Sequence, residues 1–218
     1  MNEIFTINML KTASKCLKKY DFLYNQKIRL PEHNTSGNTG SRIHALINYY
    51  FKNQNVEKLL STLDSSEMTL WANFLDLKLK KPLESEFSFL VRFEDVWLSG
   101  RMDALFFENG KITVADWKTG NFSHNEDEMF QTMFYLYAAS VIFMKNGMVR
   151  DFSGISMVYY LLKDKKEIKI DFSADLFADF GNKFKKILEK IKYGRYNRGS
   201  EMHCEACEYR NICDRNLL

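Results

Sequence analysis

Asp103, Asp116 and Lys118 are the residues in this chain most suited to chemistry. They lie in GRMDALFFENGKITVADWKTG, residues 100–120, two hydrophobic runs around Asn109-Gly110. That dipeptide signals a two-residue hairpin, because both positions tolerate positive φ. Strand side chains alternate, so Asp116 and Lys118 share a face and Trp117 points away. A two-residue turn pairs Glu108 with Lys111, so partner numbers sum to 219 and Asp103 lies opposite Asp116. Two carboxylates placed so repel unless a cation sits between them. Glu86, one strand earlier, brings a third carboxylate to the same patch. Glu84 competes with it for that place, since both share a face. A hard ion such as Mg²⁺ or Mn²⁺ suits these oxygens. Lys118 beside it can orient or deprotonate a water, or stabilise charge building on a phosphate. Taken alone, Asp-x-Lys more often marks the ordinary ion-paired face of a half-solvated antiparallel sheet.

The elements that must position these residues follow from hydrophobic periodicity. Residues 12–24 read as a short helix carrying Cys16. PEHNTSGNTG, 31–40, reads as a loop, and SRIHALINYYF as a helix with Ser41 a candidate cap. Residues 66–80 predict a helix with Met68, Trp71, Leu75 and Leu79 in the core. LESEFSFLVRF, VWLSGRMDALFF and KITVADWK are three successive antiparallel strands, the first two joined by a turn at Glu94-Asp95. Ser123 with Glu126 resembles a capping box, opening a helix that Asn146-Gly147 ends. GISMVYYLL and KEIKIDF are two more strands. The helix from Ala174 presents Leu176, Phe177, Phe180, Phe184, Ile187, Leu188 and Ile191. Helix, meander, helix, strands, helix argues an α/β (α+β) class, expected as a single domain over 1–218.

The chain is 218 residues long and 45% hydrophobic, enough for a substantial core. Its 31 basic and 28 acidic residues nearly cancel, so net charge neither demands nor excludes nucleic acid. The distribution says more. Lys183, Lys185, Lys186, Lys190, Lys192, Arg195 and Arg198 cluster against Glu189 alone, and Lys11 to Arg29 is a second basic stretch. Solvated helix faces explain such runs as readily as phosphate contacts do. No apolar run approaches the ~20 residues of a membrane helix. MNEIFTINML lacks the pattern of a signal peptide, so a cytoplasmic, reducing setting is expected.

Beyond the hairpin, the order of residues resembles the PD-(D/E)xK nuclease superfamily in its RecB-like branch. Gly100, Asp103, Asp116, Lys118, Thr119 and Gly120 match its G-x-x-D, D-x-K and T-G elements. Gly40 and His44 match a helical G-x-x-x-H, Glu86 a glutamate on the preceding strand, and Gln131 with Tyr135 a Q-x-x-x-Y. Gln131 and Tyr135 are four apart, hence on one helix face. The resemblance implies a restriction-endonuclease-like core, a mixed sheet flanked by helices. It implies Mg²⁺ or Mn²⁺ held by His44, Asp103, Asp116 and the Trp117 carbonyl, with Glu86, Lys118, Gln131 and Tyr135 assisting.

Four cysteines remain. Cys204, Cys207 and Cys213 form a compact trio, and Cys16 is the one cysteine left to complete a four-thiolate site. Zinc and an iron–sulfur cluster both accept four cysteines, and His203 also allows a Cys3His zinc site with Cys16 idle. CEACEYRNIC resembles the C-terminal cysteine motif of AddB-type nucleases. SKCLKKYDFLY resembles their N-terminal segment, with Leu17 where proline is often found. That likeness implies a [4Fe–4S] cluster on Cys16, Cys204, Cys207 and Cys213, in an iron–sulfur region joining about 12–24 to 200–214. No phosphate loop is present, so any motor is another chain. The expected function is metal-dependent DNA hydrolysis, as an exonuclease on single-stranded DNA or single-stranded ends, in CRISPR spacer acquisition or in repair. A CRISPR integrase or a helicase subunit is the expected protein partner. Tyr193 and Tyr196 are candidates to stack on unpaired bases. A nuclease-fold binding subunit that does not cut, and a zinc-stabilised adaptor, are the alternatives.

Overall fold

The structure, a computed structural model, describes residues 3–30, 36–123, 125–196, 204–205 and 207–215. At its centre are the three predicted meander strands, β2 (Glu84–Phe93), β3 (Val96–Glu108) and β4 (Lys111–Lys118), paired antiparallel. Glu94 (φ 49°) turns the first hairpin; Asn109 (φ 50°) and Gly110 (φ 73°) turn the second. β5 (Ile155–Leu161) lies parallel to β4, and β6 (Lys166–Asp171) runs antiparallel to β5. Every residue of β5 is buried, as expected of a strand covered on both faces. A short strand not foreseen from sequence, β1 (Ile4–Thr6), lies parallel to residues 97–99 of β3.

Helices cover both faces of this mixed sheet, the α/β arrangement expected. On one face lie α1 (Ile7–Lys15), α6 (Glu126–Lys145) and α7 (Ala174–Tyr193), sealing a core that includes Leu98, Met102, Val114, Phe134, Phe180 and Phe184. On the other lie α3 (Ser36–Phe51), α4 (Glu57–Leu60) and α5 (Ser65–Asp76), around Ile43, Leu46, Phe74, Ala104 and Trp117. No helix among the described residues is long and apolar enough to cross a membrane.

Several local expectations are corrected. The segment 12–24 is not one helix: Cys16 is extended (φ −156°, ψ 110°), ending α1 and capping α2 (Leu17–Tyr20), which runs into a π-helical turn at Asp21–Asn25. Residues 36–40 of the expected loop are helical and Ser41 is internal to α3, while 31–35 lie outside the described residues. In α5, Met68 and Leu75 are exposed, and Leu70, Trp71 and Phe74 face the core. The helix is rotated so that Glu67 closes a capping box with Asp64 and meets Arg42 at 3.1 Å. Asn125, not Ser123, caps α6, because its carboxamide oxygen accepts the Glu128 N–H at 2.9 Å.

The feature that builds the site is a break in strand alternation. Phe89, Val91 and Phe93 pack toward α6 and α7, whereas Ser85 donates to Asn48 of α3 at 2.6 Å on the opposite side. Between them Glu86 has φ 55°, a strained conformation for a non-glycine residue. Across the ladder, Met102 packs in the first core, Ala104 in the second and Leu105 again in the first, so β3 swaps faces at Asp103. Glu86 and Asp103 are thus released from regular pleating at one row, and Glu84, beyond the kink, is exposed. Along its other edge β3 pairs with β1 at 97–99 and with β4 at 104–108, leaving 100–103 open. Gly100 sits in that gap. A Cβ there would lie 2.6 Å from Cζ of the buried Phe89 ring and 3.2 Å from Phe134. Gly100→Ala is expected to cost about 1–3 kcal/mol by overpacking, read as a lowered melting temperature. An unchanged melting temperature would show that the Phe89 ring moves freely.

Candidate active site

The hairpin follows the predicted register as far as Ala104 opposite Ala115 and then opens. Asp103 does not pair with Asp116 as expected. Its Oδ2 accepts the Trp117 N–H at 2.9 Å, replacing the ladder with a side-chain bond and splaying the strands. His44 reaches this opening from the opposite helical layer. A Cβ on Gly40 would meet Thr119 Oγ1 at 3.3 Å, so the glycine lets α3 settle against the loop after β4. One turn on, His44 Nε2 lies 2.7 Å from the Trp117 carbonyl oxygen, and Nδ1 lies 3.3 Å from Asp103 Oδ2. Burial opposes charge on this ring, but Asp103, Asp116 and the carbonyl outweigh it and hold the imidazole above its usual pKa. His44, Asp103 and the Trp117 carbonyl therefore converge at the opening of the hairpin.

Asp116 is the deepest charge here, 6% exposed. Gln131 Nε2 donates to its Oδ2 at 2.9 Å, and Lys118 Nζ lies 3.0 Å from its Oδ1. Burial, reinforced by Asp103, pushes its carboxyl up to about 6. Lys118 also meets Glu128 Oε2 at 3.2 Å and sits 5.2 Å above the Tyr159 ring. Burial works against the ammonium, yet Asp116 and Glu128 keep its pKa raised. Tyr135 packs its ring on Phe89 and Phe134, and burial holds its hydroxyl well above the ordinary range, with Asp116 and Asp103 adding. Two residues were missed from sequence. Glu128 lies three before Gln131 on the same helix face and could have been found by spacing. Lys11 stood out only as the start of a basic stretch; its Nζ donates to Gln131 Oε1 at 2.8 Å, a pairing across 120 residues that local pattern does not carry.

Glu86 meets Arg101 at 2.5 Å; burial raises its carboxyl despite that guanidinium. With His44, Asn48, Tyr49 and Lys52 it lines a polar groove of about 670 Å³. Glu86 Oε2, Asp116 Oδ1 and Glu128 Oε2 are buried and touch cations, yet none accepts a well-directed hydrogen bond. These carboxylate oxygens keep acceptor capacity beyond their ion pairs, and that of Asp116 suits an ion ligand. Among the described residues, no three His, Cys, Asp or Glu side chains close on one point. At the hairpin each carboxylate already has a partner: Lys118 on Asp116, Arg101 on Glu86 and the His44 ring on Asp103. A divalent ion held here would compete with these partners for the carboxylates, Glu128 retaining Lys118, and the oxygen and imidazole donors would suit Mg²⁺ or Mn²⁺.

The four cysteines, from both ends of the sequence, line one small apolar cavity of about 20 Å³ with Phe22 and Tyr209, although no three of the described thiols close on one point. Tyr209 stacks on Phe22 and its hydroxyl donates to the Ile28 carbonyl at 2.9 Å, while Lys19 pairs with Glu208 at 2.9 Å. α8 (Arg210–Arg215) carries Cys213. His203 and residues 200–202 and 206 lie outside the described residues. The basic clusters are only partly open: Lys183 pairs with Asp179 at 3.0 Å and Lys185 with Glu94 at 2.6 Å, and Arg198 lies outside the described residues. Tyr193 is exposed, whereas the Tyr196 hydroxyl donates to the Ile191 carbonyl.

A helix-covered mixed sheet whose central hairpin splays around two aspartates and a lysine defines a class, the nuclease fold of the carboxylate–lysine type. The chain belongs to the PD-(D/E)XK nuclease superfamily, whose family model matches residues 5–214. The fold is similar to the crystal structure of a Eubacterium rectale protein provisionally named an exonuclease. That match has 10% identity and a TM-score of 0.60, covering 98% of this chain and 88% of that one. A looser match is the crystal structure of SSO0001, at 19% identity and TM-score 0.43, covering 97% and 96%. No curated protein matches the chain.

Proposed function

We propose that this chain is a Mg²⁺- or Mn²⁺-dependent deoxyribonuclease of the RecB/AddB-like iron–sulfur branch, working as an exonuclease on single-stranded DNA or single-stranded ends. The observation that carries the reading is the convergence of His44, Asp103, Asp116, Lys118 and the Trp117 carbonyl at the splayed hairpin. His44, Asp103, Asp116 and the Trp117 carbonyl would hold the ion. When bound, it supplies Lewis acidity toward a phosphate oxygen and an acidified water. Lys118 orients the attacking water and stabilises the charge that builds on the phosphoryl oxygens. Glu86 assists from the groove side, and Gln131 steadies Asp116. The groove beside them offers Lys52 and Arg101 to phosphates and the exposed Tyr49 ring to a base, a combination suited to a single strand.

The test is incubation with Mn²⁺ and single-stranded DNA labelled at the 5′ or the 3′ end. Stepwise shortening that EDTA abolishes is expected, and the label lost first gives the polarity. No shortening with either label would sink the reading.

The cysteine cavity is read as the seat of a [4Fe–4S] cluster stapling the two ends together, supported by four thiols lining one apolar space. Purified anaerobically, the protein is expected to be brown, to absorb near ~400 nm and to carry about four irons. Cys16→Ala should bleach it and lower the melting temperature. A colourless protein with one zinc would replace the cluster by a zinc site. Partners, whether an integrase or a helicase subunit, and a role in CRISPR spacer acquisition or repair, are part of the same proposal.

A further inference from the structure

One cation at the site has no place in the reading above. Lys11 lies on α1, directly after β1, and its side chain reaches Gln131 in the second turn of α6. Its Nζ donates to Gln131 Oε1 at 2.8 Å, and Gln131 Nε2 donates in turn to Asp116 Oδ2 at 2.9 Å. One turn further along α1, Lys15 pairs with Asp127 of α6. A primary amide has an acceptor end and a donor end, and packing hardly distinguishes them. An ammonium can only donate, so it captures the oxygen end. The NH₂ end is then turned to a carboxylate that can only accept. Asp116 by itself favours the NH₂ end; Lys11 selects the same orientation from the other side, so the amide is held at both ends instead of one.

We propose that Lys11 is a positioning residue of the active site, fixing the Gln131 amide so that its donor end faces Asp116. The inference rests on the proposed ion-binding role of Asp116. Lys11 acts through Gln131 and touches neither substrate nor ion. Burial lowers its pKa, against the pull of Glu128 and Asp127, consistent with an ammonium held inside the site rather than waving over it. The geometry also explains why α1 must be present for a site otherwise built from the central sheet, α3 and α6. A hydrogen-bond partner of a group that holds a ligand typically matters 10- to 100-fold.

The test uses full-length Lys11→Met, which keeps the stem and removes the donors, and Lys11→Arg, which keeps charge and donors. The first readout does not depend on cleavage. The sequence has three glutamines, Gln26, Gln54 and Gln131, so selective ¹⁵N labelling resolves each side-chain amide by NMR. The Gln131 NH₂ is expected to exchange with solvent on the order of tenfold more slowly than the other two. Lys11→Met should abolish that protection and Lys11→Arg should keep it. The second readout is kinetic. Lys11→Met should lower kcat roughly 10- to 100-fold with little change in KM. Lys11→Met combined with Gln131→Ala should be no slower than Gln131→Ala alone, because both remove one relay. Unchanged Gln131 protection in Lys11→Met would overturn the proposal. So would a rise in KM at constant kcat, which would make Lys11 a phosphate contact, or losses that simply add. If the wild type cuts no DNA, the nuclease reading fails while the amide measurement still decides the place of Lys11.

Discussion

Lys118→Gln lowers kcat for DNA cleavage by roughly 10³-fold while leaving DNA binding nearly unchanged. The magnitude is that of removing one preorganised donor aimed at developing charge. It is placed at the upper end because the donor is charged and half-buried, where water cannot substitute. Lys118 is held between Asp116 and Glu128, 3.0 and 3.2 Å away, over the Tyr159 ring. Its ammonium is therefore fixed before substrate arrives. Glutamine retains one donor for Asp116 and so spares the fold the cost of an unpaired buried carboxylate. The decisive measurement is single-turnover cleavage in Mn²⁺ alongside DNA binding in Ca²⁺. A Gln variant within tenfold of wild type would remove Lys118 from the chemistry.

Asp116→Asn should abolish cleavage and yet stabilise the ion-free protein. Burial and Asp103 raise the Asp116 carboxyl to about 6 in the fold, against 3.8 ordinarily. Between those two values the folded state keeps a proton that the unfolded chain has released, so stability falls as pH rises through this window. Above pH 6 the whole cost is present; below about 3.8 it vanishes. The Asn variant should thus melt higher than wild type at pH 7 without divalent ions, and the advantage should disappear by pH 4. Wild type should recover it with Mn²⁺. At about 100 times the dissociation constant an ion adds about 2.7 kcal/mol, or roughly 5–10 °C for a chain of this size. The variant should gain little. Differential scanning calorimetry with EDTA and with Mn²⁺ reads both effects, and equal Mn²⁺ shifts in the two proteins would rule Asp116 out as a ligand.

Much of this was legible because it is local. Asn109-Gly110 set the β3–β4 hairpin and its 219 register, strand alternation put Asp116 and Lys118 on one face, and helical spacing put Gln131 with Tyr135. Expectations failed where a side chain competed with the backbone. Asp103 takes the Trp117 N–H and opens the ladder one pair early. Glu67 and Asp64 rotate α5 away from its apparent stripe, and Cys16 breaks a segment whose periodicity ran on.

Most of the strands and long helices, the meander, the candidate acids and lysine, and the cysteines' grouping at two distant stretches were already written in the chain; β1, the break at Cys16 and the early start of α3 were not. The former are matters of period, turn chemistry and residue type over a few neighbours. That Glu86 and Asp103 sit at a face-swapping kink emerged from the packed fold. It alone brought His44 across from the other helical layer and made Glu128 and Lys11 part of the same network. Those relations depend on how layers dock and on which buried charges must find partners. A pairing across 120 residues, such as Lys11 with Gln131, leaves no trace in local pattern.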